Sequence, residues 1–373
     1  MKLLIENEDK IKEKNVLVRI DTDVPIVDGK VTDDERIKAS IPTIEYLLQR
    51  GAKITIIGHI DRPEGKEISV LKIRPIEDKL IEFLGTHSNW QILENLRFNK
   101  GEEENDPEFA KQLAVGQDLF VQDAFATCHR AHASTSGVAK LLPSFAGFAI
   151  QKEIEGLQKI LSSPSDGFTI IIGGKKARDK LPVIANLFER AENFLIGGVI
   201  ANTFLAAKGF RLGKSFIENK VLDQAKEILR KFESNPAKKL LLPVDLIFSK
   251  SINKPLEMKH ENIEDLNDID NFFAVDIGAE TTANFLVTIN NSQTIFWNGN
   301  MGVSEVEEFR KGTWKITEAI GNALSRKYAG GGDTATFIHQ IGLENNFDFI
   351  SNAGSATLDY LAGKKLPGLE VLK

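Results

Sequence analysis

A single cysteine, Cys128, stands in 373 residues, so no internal disulfide holds this chain, and a reducing compartment suits it. Long apolar runs are missing as well. No uncharged stretch reaches bilayer-spanning length, and the segment from Met1 to Lys14 alternates charges with short apolar pieces, without a signal-peptide core. The expectation is a cytoplasmic chain with no membrane partner. Basic excess is lacking too: 47 Lys+Arg against 53 Asp+Glu gives a net charge of -6. That argues against a nucleic-acid partner and leaves any anion site to local clusters of arginine and lysine. The P-loop spacing Gly-x-x-x-x-Gly-Lys-Ser is absent; the near miss from Gly209 to Ser215 has one spacer too few and no strand before it. His129-x-x-His132 finds no third ligand at a metal-site spacing.

What is present is a repeating alternation of short apolar runs and helical patterns. The length asks for two domains of roughly 150 to 200 residues. Asn15 to Ile20 reads as a buried strand that stops at Asp21-Thr22-Asp23. A helix from Thr32-Asp33-Asp34-Glu35 continues through Ile37, Ile41, Ile44 and Leu48 to Gly51, and the strand Lys53 to Ile57 follows, ending at Gly58-His59-Ile60-Asp61-Arg62. Ile92 to Phe98 and Asp118 to Asp123 are two more strand-like runs, the second opening onto His129-Arg130-Ala131-His132. Gln151 to Leu161 is an amphipathic helix that reads as the connector between domains. In an open parallel sheet, ligands bind beyond the carboxyl ends of the strands, so these polar tips are candidates to converge.

The second half repeats the pattern with glycine in place of arginine. Phe168 to Ile172 breaks at Gly173-Gly174-Lys175-Lys176-Ala177-Arg178-Asp179-Lys180 before a helix. Further strands are expected at Phe194 to Val199, Lys239 to Val244, Phe273 to Gly278 and Thr294 to Gly299, giving a second parallel α/β domain. Gly330-Gly331-Gly332-Asp333-Thr334 joins a strand end to a helix start. Such a turn aims backbone N–H groups at phosphate, with Asp333 suited to a hydrated Mg²⁺ and Thr334 to a cap or a phosphate contact.

Strung together, these pieces resemble one family, phosphoglycerate kinase, from about Asn15 to Leu372. The resemblance rests on Asp33-Asp34-Glu35-Arg36-Ile37, His59-Ile60-Asp61-Arg62-Pro63, Glu94-Asn95-Leu96-Arg97-Phe98, His129 to Ser134, Ala201-Asn202-Thr203-Phe204, Trp297-Asn298-Gly299, Gly330 to Thr334 and Leu366-Pro367-Gly368. It implies an α/β fold of two Rossmann-like domains with parallel sheets, joined by a helical hinge. A 3-phosphoglycerate-binding domain is expected over 1–152 with a returning tail at 358–373, and a nucleotide-binding domain over 153–357. The implied reaction is reversible phosphoryl transfer between 1,3-bisphosphoglycerate and MgADP, giving 3-phosphoglycerate and MgATP in glycolysis, by a monomer. Asp21, Asp23, Arg36, His59, Arg62, Arg97 and Arg130 fall at the substrate positions. Gly173, Gly174, Lys176, Lys180, Gly198, Asn298, Glu305, Gly330, Gly331, Gly332, Asp333 and Thr334 fall at the nucleotide positions, with Asp333 at the Mg²⁺. Arg36, Lys176, Lys180 and Gly354 are the implied catalytic groups. The attacking carboxylate needs no general base, so alignment and charge neutralisation are the catalytic work, and domain closure keeps water out.

Some positions depart from the family's pattern. Asp23 replaces a neutral amide beside an anionic substrate; at roughly 5 Å and an effective dielectric of about 20 that repulsion is on the order of 3 kcal/mol before arginines offset it. Asp61 adds a second carboxylate, Lys175 and Arg178 stand where small residues are usual, Val199 replaces a glycine, and Asn300 and Ser304 replace a proline and a phenylalanine. Ser351-Asn352-Ala353-Gly354-Ser355 stands where a threonine and three glycines are usual; its added β-carbons are expected to crowd the turn, with Asn352 available to cap. These departures keep two other readings in view: an acyl-phosphate kinase with altered substrate or nucleotide preference, and a catalytically weak binding or regulatory protein on the same fold.

Overall fold

Alternate side chains of the strand Asn15–Arg19 enter two different cores. Val16 and Val18 pack with Ile54, Ile56, Val121 and the helix residues Ile37, Ile44 and Leu47, whereas Leu17 packs with Ile57, Phe120, Leu113 and Val138. A strand covered on both faces belongs inside a sheet. The computed structural model describes residues 1–86 and 89–373, and its contacts divide them into two units, Met1–Glu155 with Lys365–Lys373, and Gly156–Lys364.

In the first unit, the described residues form a parallel sheet ordered Trp90–Ile92, Lys53–Ile57, Asn15–Arg19, Leu119–Gln122, Ser144–Ala146. Numbered in chain order, its strands run 3-2-1-4-5. The second unit carries a parallel sheet ordered Lys239–Leu241, Asn193–Ile196, Phe168–Ile172, Thr294–Asn298, Arg326–Gly330, Phe349–Ser351, that is 3-2-1-4-5-6. Both are Rossmann-like. In each, the order reverses between the first and fourth strands, the place at which open α/β sheets bind ligands beyond the carboxyl ends.

The structure corrects several local expectations. The run from Ile92 to Phe98 is strand only over Trp90–Ile92, because the Asn95 side chain accepts from Arg97 N at 3.2 Å and folds Leu96–Phe98 into a 3₁₀ turn. The run from Lys239 to Val244 stops at Leu241, two residues before Pro243, which has no N–H to give a ladder. Asp245–Ser249 then pairs antiparallel with Lys259–Asn262 and with Phe273–Ile277, so the latter lies outside the parallel sheet.

The connecting helix is Phe148–Leu161, and the division between units falls within it, at Glu155/Gly156 and not at 152/153. Its first turn is capped from far along the chain: Phe148 N donates to Thr43 Oγ1 at 2.9 Å and Ala149 N to Asp123 Oδ1 at 2.8 Å. The returning tail begins at Lys365 and not at 358, because the helix Ser355–Leu361 buries Ala356, Thr357, Leu358 and Leu361 in the second unit, where Asn186 Nδ2 donates to Leu361 O at 2.7 Å. Beyond it, Gly368 N donates to Cys128 O at 2.9 Å and Lys2 N to Leu372 O at 2.7 Å.

Asp276, 4% exposed, caps the helix Lys311–Asn322 from the neighbouring strand: Oδ2 accepts from Gly312 N at 2.7 Å and Oδ1 from Ile277 N at 2.9 Å. Burial pushes its carboxyl up to about 7 against the pull of those two N–H groups. A carboxyl raised on folding stabilises the protein below its unfolded value, and that contribution is lost as pH rises to about 7. Asp276→Asn leaves one N–H without an acceptor and lowers the denaturant midpoint overall, but the decline in midpoint between pH about 4 and about 7 should be shallower than in the native chain. An equally steep decline would assign the titration to other groups.

Candidate active site

At the switch point of the first unit, the strand ends gather cations around buried acids. Arg36 Nη1 lies 3.5 Å from Asp21 Oδ2 and donates to Asp23 O at 3.0 Å. Asp23 N donates to Asp21 Oδ1 at 3.2 Å, and Asp23 Oδ1 accepts from Asp61 N at 2.9 Å. His59 is anchored by Thr22 Oγ1, which donates to His59 O at 2.7 Å, and its Nε2 is 3.8 Å from Asp23 Oδ2. Arg97 Nη1 donates to Asp61 O at 2.7 Å, and Glu103 Oε1 lies 3.3 Å from Arg97 Nε and 3.9 Å from Arg130 Nη1. Asp21, Asp23, Arg36, His59, Arg97 and Arg130 are thus brought together; Arg62 is exposed on the turn after His59.

Sequence reasoning missed the layer beneath. Arg19, 1% exposed, donates from Nε to Ser134 Oγ at 3.1 Å, and Ser134 Oγ donates to Glu102 Oε1 at 2.6 Å. The available signal was a lone cation in a strand buried on both faces, which must be paired. Burial, Arg97, Arg130 and Arg19 hold His132 down to about 4, and burial with Arg19 and Arg97 holds His59 well below the usual histidine range. His129 Nε2 accepts from Arg130 Nε at 3.1 Å. Burial raises Asp21, with Arg36 opposing.

In the second unit, the glycine turns meet at the corresponding reversal, between Phe168–Ile172 and Thr294–Asn298. Gly173 N donates to Asn298 O at 3.0 Å, Gly174 N to Asn300 O at 2.7 Å, Gly198 N to Met301 O at 2.8 Å and Val199 N to Gly174 O at 2.9 Å. The backbones approach so closely that a Cβ on Gly173 would lie 2.2 Å from Asn300 O, and one on Gly198 2.7 Å from Gly174 N. Lys180, 8% exposed, reaches across them, donating to Gly173 O and to Asn298 O. Burial lowers its ammonium to about 7, with Asp333 and Asp179 opposing. Lys176 is exposed at the start of the helix Ala177–Leu187.

Asn298 Nδ2 donates to Gly330 O, and Gly331, at φ 101, turns the chain into the helix Gly332–Gln340. Asp333 stands exposed in the first turn of that helix, and a side chain at Gly332 would meet nothing within 4 Å. Thr334 neither caps its own helix nor faces outward with its hydroxyl: it is 1% exposed and accepts from Gly299 N at 2.7 Å. Gly354, at φ 56, occupies the N-cap position expected of Asn352. Ala353 is 6% exposed, so its methyl packs inward and leaves Gly354 uncrowded. Glu305 is exposed and paired with Lys175 Nζ at 3.0 Å.

The arrangement gathers arginines interleaved with acids in the first unit and, in the second, glycine turns whose backbones interlock, one buried lysine and one exposed carboxylate. A single carboxylate suits Mg²⁺, which keeps several waters and takes its other oxygens from phosphates. The family model for phosphoglycerate kinase matches residues 5–364. A phosphoglycerate kinase from Dictyoglomus turgidum is 43% identical, with 98% of this chain and 97% of that protein covered, and one from Finegoldia magna is 40% identical, with 97% of each covered. Among solved structures, the phosphoglycerate kinase of Coxiella burnetii superposes with a TM-score of 0.85 at 35% identity over 97% of each chain. That of Pyrococcus horikoshii superposes with a TM-score of 0.86 at 32% identity, covering 100% of this chain and 98% of that one. With these matches running nearly end to end, the chain belongs to the phosphoglycerate kinase family.

Proposed function

We propose that the first unit holds 3-phosphoglycerate and the second holds the nucleotide in this family's reaction, reversible phosphoryl transfer between 1,3-bisphosphoglycerate and MgADP in glycolysis. The carrying observation is that in each unit the candidate residues gather at the carboxyl ends of the central parallel strands. Asp21, Asp23, Arg36, His59, Arg62, Arg97 and Arg130 bind the three-carbon anion. Gly173, Gly174, Gly198, Asn298, Glu305 and Gly330 to Thr334 bind the nucleotide, Thr334 through its backbone, since its hydroxyl is taken.

The attacking group in the direction that makes the acyl phosphate is a carboxylate already ionised at neutral pH, so none of these residues has to remove a proton. Arg36 neutralises charge on the transferred oxygens, Lys180 and Lys176 do so from the nucleotide side, and Gly354 offers backbone N–H groups at its helix start. Asp333 would hold Mg²⁺, which supplies neutralisation of the phosphate oxygens when bound. No helix among the described residues is long and apolar enough to cross a membrane. The same reading has the chain act as a cytoplasmic monomer.

Purified protein with MgATP and 3-phosphoglycerate, coupled to reduction of the acyl phosphate by excess glyceraldehyde-3-phosphate dehydrogenase and NADH, should turn over at about 1 to 100 per second or faster. Folded protein that binds MgATP without turnover would favour a binding role instead. In the same assay Arg36→Ala should lower kcat about a hundredfold or more while nucleotide affinity changes little.

Asp23→Asn keeps an oxygen for Asp61 N and removes a negative charge, so the KM for 3-phosphoglycerate should fall severalfold; an unchanged or higher KM would reject the repulsion account. Finally, an arriving polyphosphate favours the charged form of Lys180. Calorimetric titration with MgADP above pH about 7 should show buffer-dependent heat from proton uptake, abolished in Lys180→Met. Identical heats in all buffers would mean that Lys180 is already fully charged.

A further inference from the structure

The guanidinium of Arg19 is 1% exposed, and each of its nitrogens is committed. Nε donates to Ser134 Oγ at 3.1 Å, Nη1 to Ile20 O at 2.7 Å, and Nη2 lies 2.7 Å from His59 Nδ1. Guanidinium nitrogens only donate, so His59 Nδ1 has to accept and the ring proton has to sit on Nε2. Behind Arg19, Ser134 clasps a fully buried carboxylate: its Oγ donates to Glu102 Oε1 at 2.6 Å and its N to Glu102 Oε2 at 3.0 Å. The charge of Glu102 therefore offsets the buried cation through a shared hydroxyl.

The basic groups that face the imidazole act in one direction: Arg19, Arg97, Arg130 and His132 all oppose a second proton on the ring, whereas Asp23 Oδ2, 3.8 Å from Nε2, acts the other way but lies beyond hydrogen-bond reach. A ring protonated on Nδ1 would aim a lone pair at an incoming anion. A ring protonated on Nε2 aims a donor at it, and does so without adding a cation to a crowd of arginines.

We propose that Arg19 is a positioning residue that fixes His59 as the neutral Nε2–H tautomer, so that the ring donates a hydrogen bond to an anionic oxygen of 3-phosphoglycerate, and that Glu102 holds Arg19 for this task through Ser134. The proposal rests on the reading of His59 as a substrate-side residue. It makes substrate binding at this position insensitive to pH across the ordinary histidine range.

Long-range ¹H–¹⁵N correlation spectra of the full chain labelled at histidine, with the His59 signals assigned by their loss in His59→Gln, test it directly. Nδ1 should appear unprotonated and Nε2 protonated, unchanged from pH about 6 to about 8. Arg19→Lys keeps a cation facing Glu102 but loses the planar fork. It should give mixed tautomers that begin to titrate, with a severalfold rise in KM for 3-phosphoglycerate and a smaller change in kcat. Ser134→Ala should shift the tautomer in the same direction by less. A protonated Nδ1 in the native chain, or a raised KM in Arg19→Lys with the tautomer unchanged, overturns the proposal. If the tautomer is fixed but Nε2–H does not respond to 3-phosphoglycerate in active enzyme, His59 is not at the substrate, and the site assignment fails while the lock itself stands.

Discussion

Burial of the central strands on both faces is the constraint from which the rest of the structure follows. Asn15–Arg19 and Phe168–Ile172 have neighbours on either side in their sheets, and every side chain of the two strands except Asn15 is buried. Side chains there have no route to water, so chemistry is displaced to the carboxyl ends, where the chain departs in opposite directions on the two sides of the reversal. Asp21, His59 and Arg97 in one unit and Gly173, Gly198 and Asn298 in the other stand at those ends for this reason. The exception tests the rule: Arg19 keeps a full charge inside the sheet because Ser134, Ile20 and His59 take up its donors and the Glu102 carboxylate stands behind Ser134.

The two clusters of candidate residues are built in different ways. The first concentrates whole charges, and whole charges repel one another, so acids are interleaved with them: Asp21 against Arg36, and Glu103 between Arg97 and Arg130. Its histidines cannot add protons to that crowd, and burial together with the arginines keeps His59 and His132 neutral. The second interlocks its glycine turns main chain against main chain, with the N–H groups of Gly173, Gly174 and Gly198 each donating to a neighbouring carbonyl. That approach excludes β-carbons at Gly173 and Gly198, and the buried Lys180 donates across it to Gly173 O and Asn298 O. Lys180 is near its titration point for the same reason that His59 is held neutral: both are cations denied water.

Much of this was legible in the sequence because it is local. An apolar run ending in Asp21, or a run ending in Gly173-Gly174 and followed by a helix, carries its meaning within ten residues or so. The parallel fold followed from alternation alone. What escaped depended on partners far apart in the chain: Arg19 and Ser134 are separated by 115 positions, Lys175 and Glu305 by 130, and Gly299 and Thr334 by 35. No periodicity reports such pairings. Phe273–Ile277 read as a strand correctly and Asp245–Ser249 was not read as one, but whether a strand joins a parallel or an antiparallel sheet is decided by what lies beside it; Pro243 was a local hint that the chain turns aside there.

The same long-range pairing explains how the site tolerates residues unusual for its family. Asn300 and Ser304 depart together, and they touch: Asn300 Nδ2 donates to Ser304 Oγ at 2.6 Å, although Asn300 Oδ1 is buried without a partner among the described residues. Asp23 Oδ1 accepts from the backbone N of Asp61, an N–H that does not depend on the side chain there. Lys175 departs and engages Glu305; Arg178 departs and engages Glu218, its Nε lying 3.8 Å from Glu218 Oε1. A polar group introduced without a partner costs roughly 1 to 3 kcal/mol when buried, whereas a pair introduced jointly costs little. The changed side chains of Asn300, Ser304, Lys175 and Arg178 thus find polar partners close by, while Arg36, Arg97 and Lys180 keep contacts of their own.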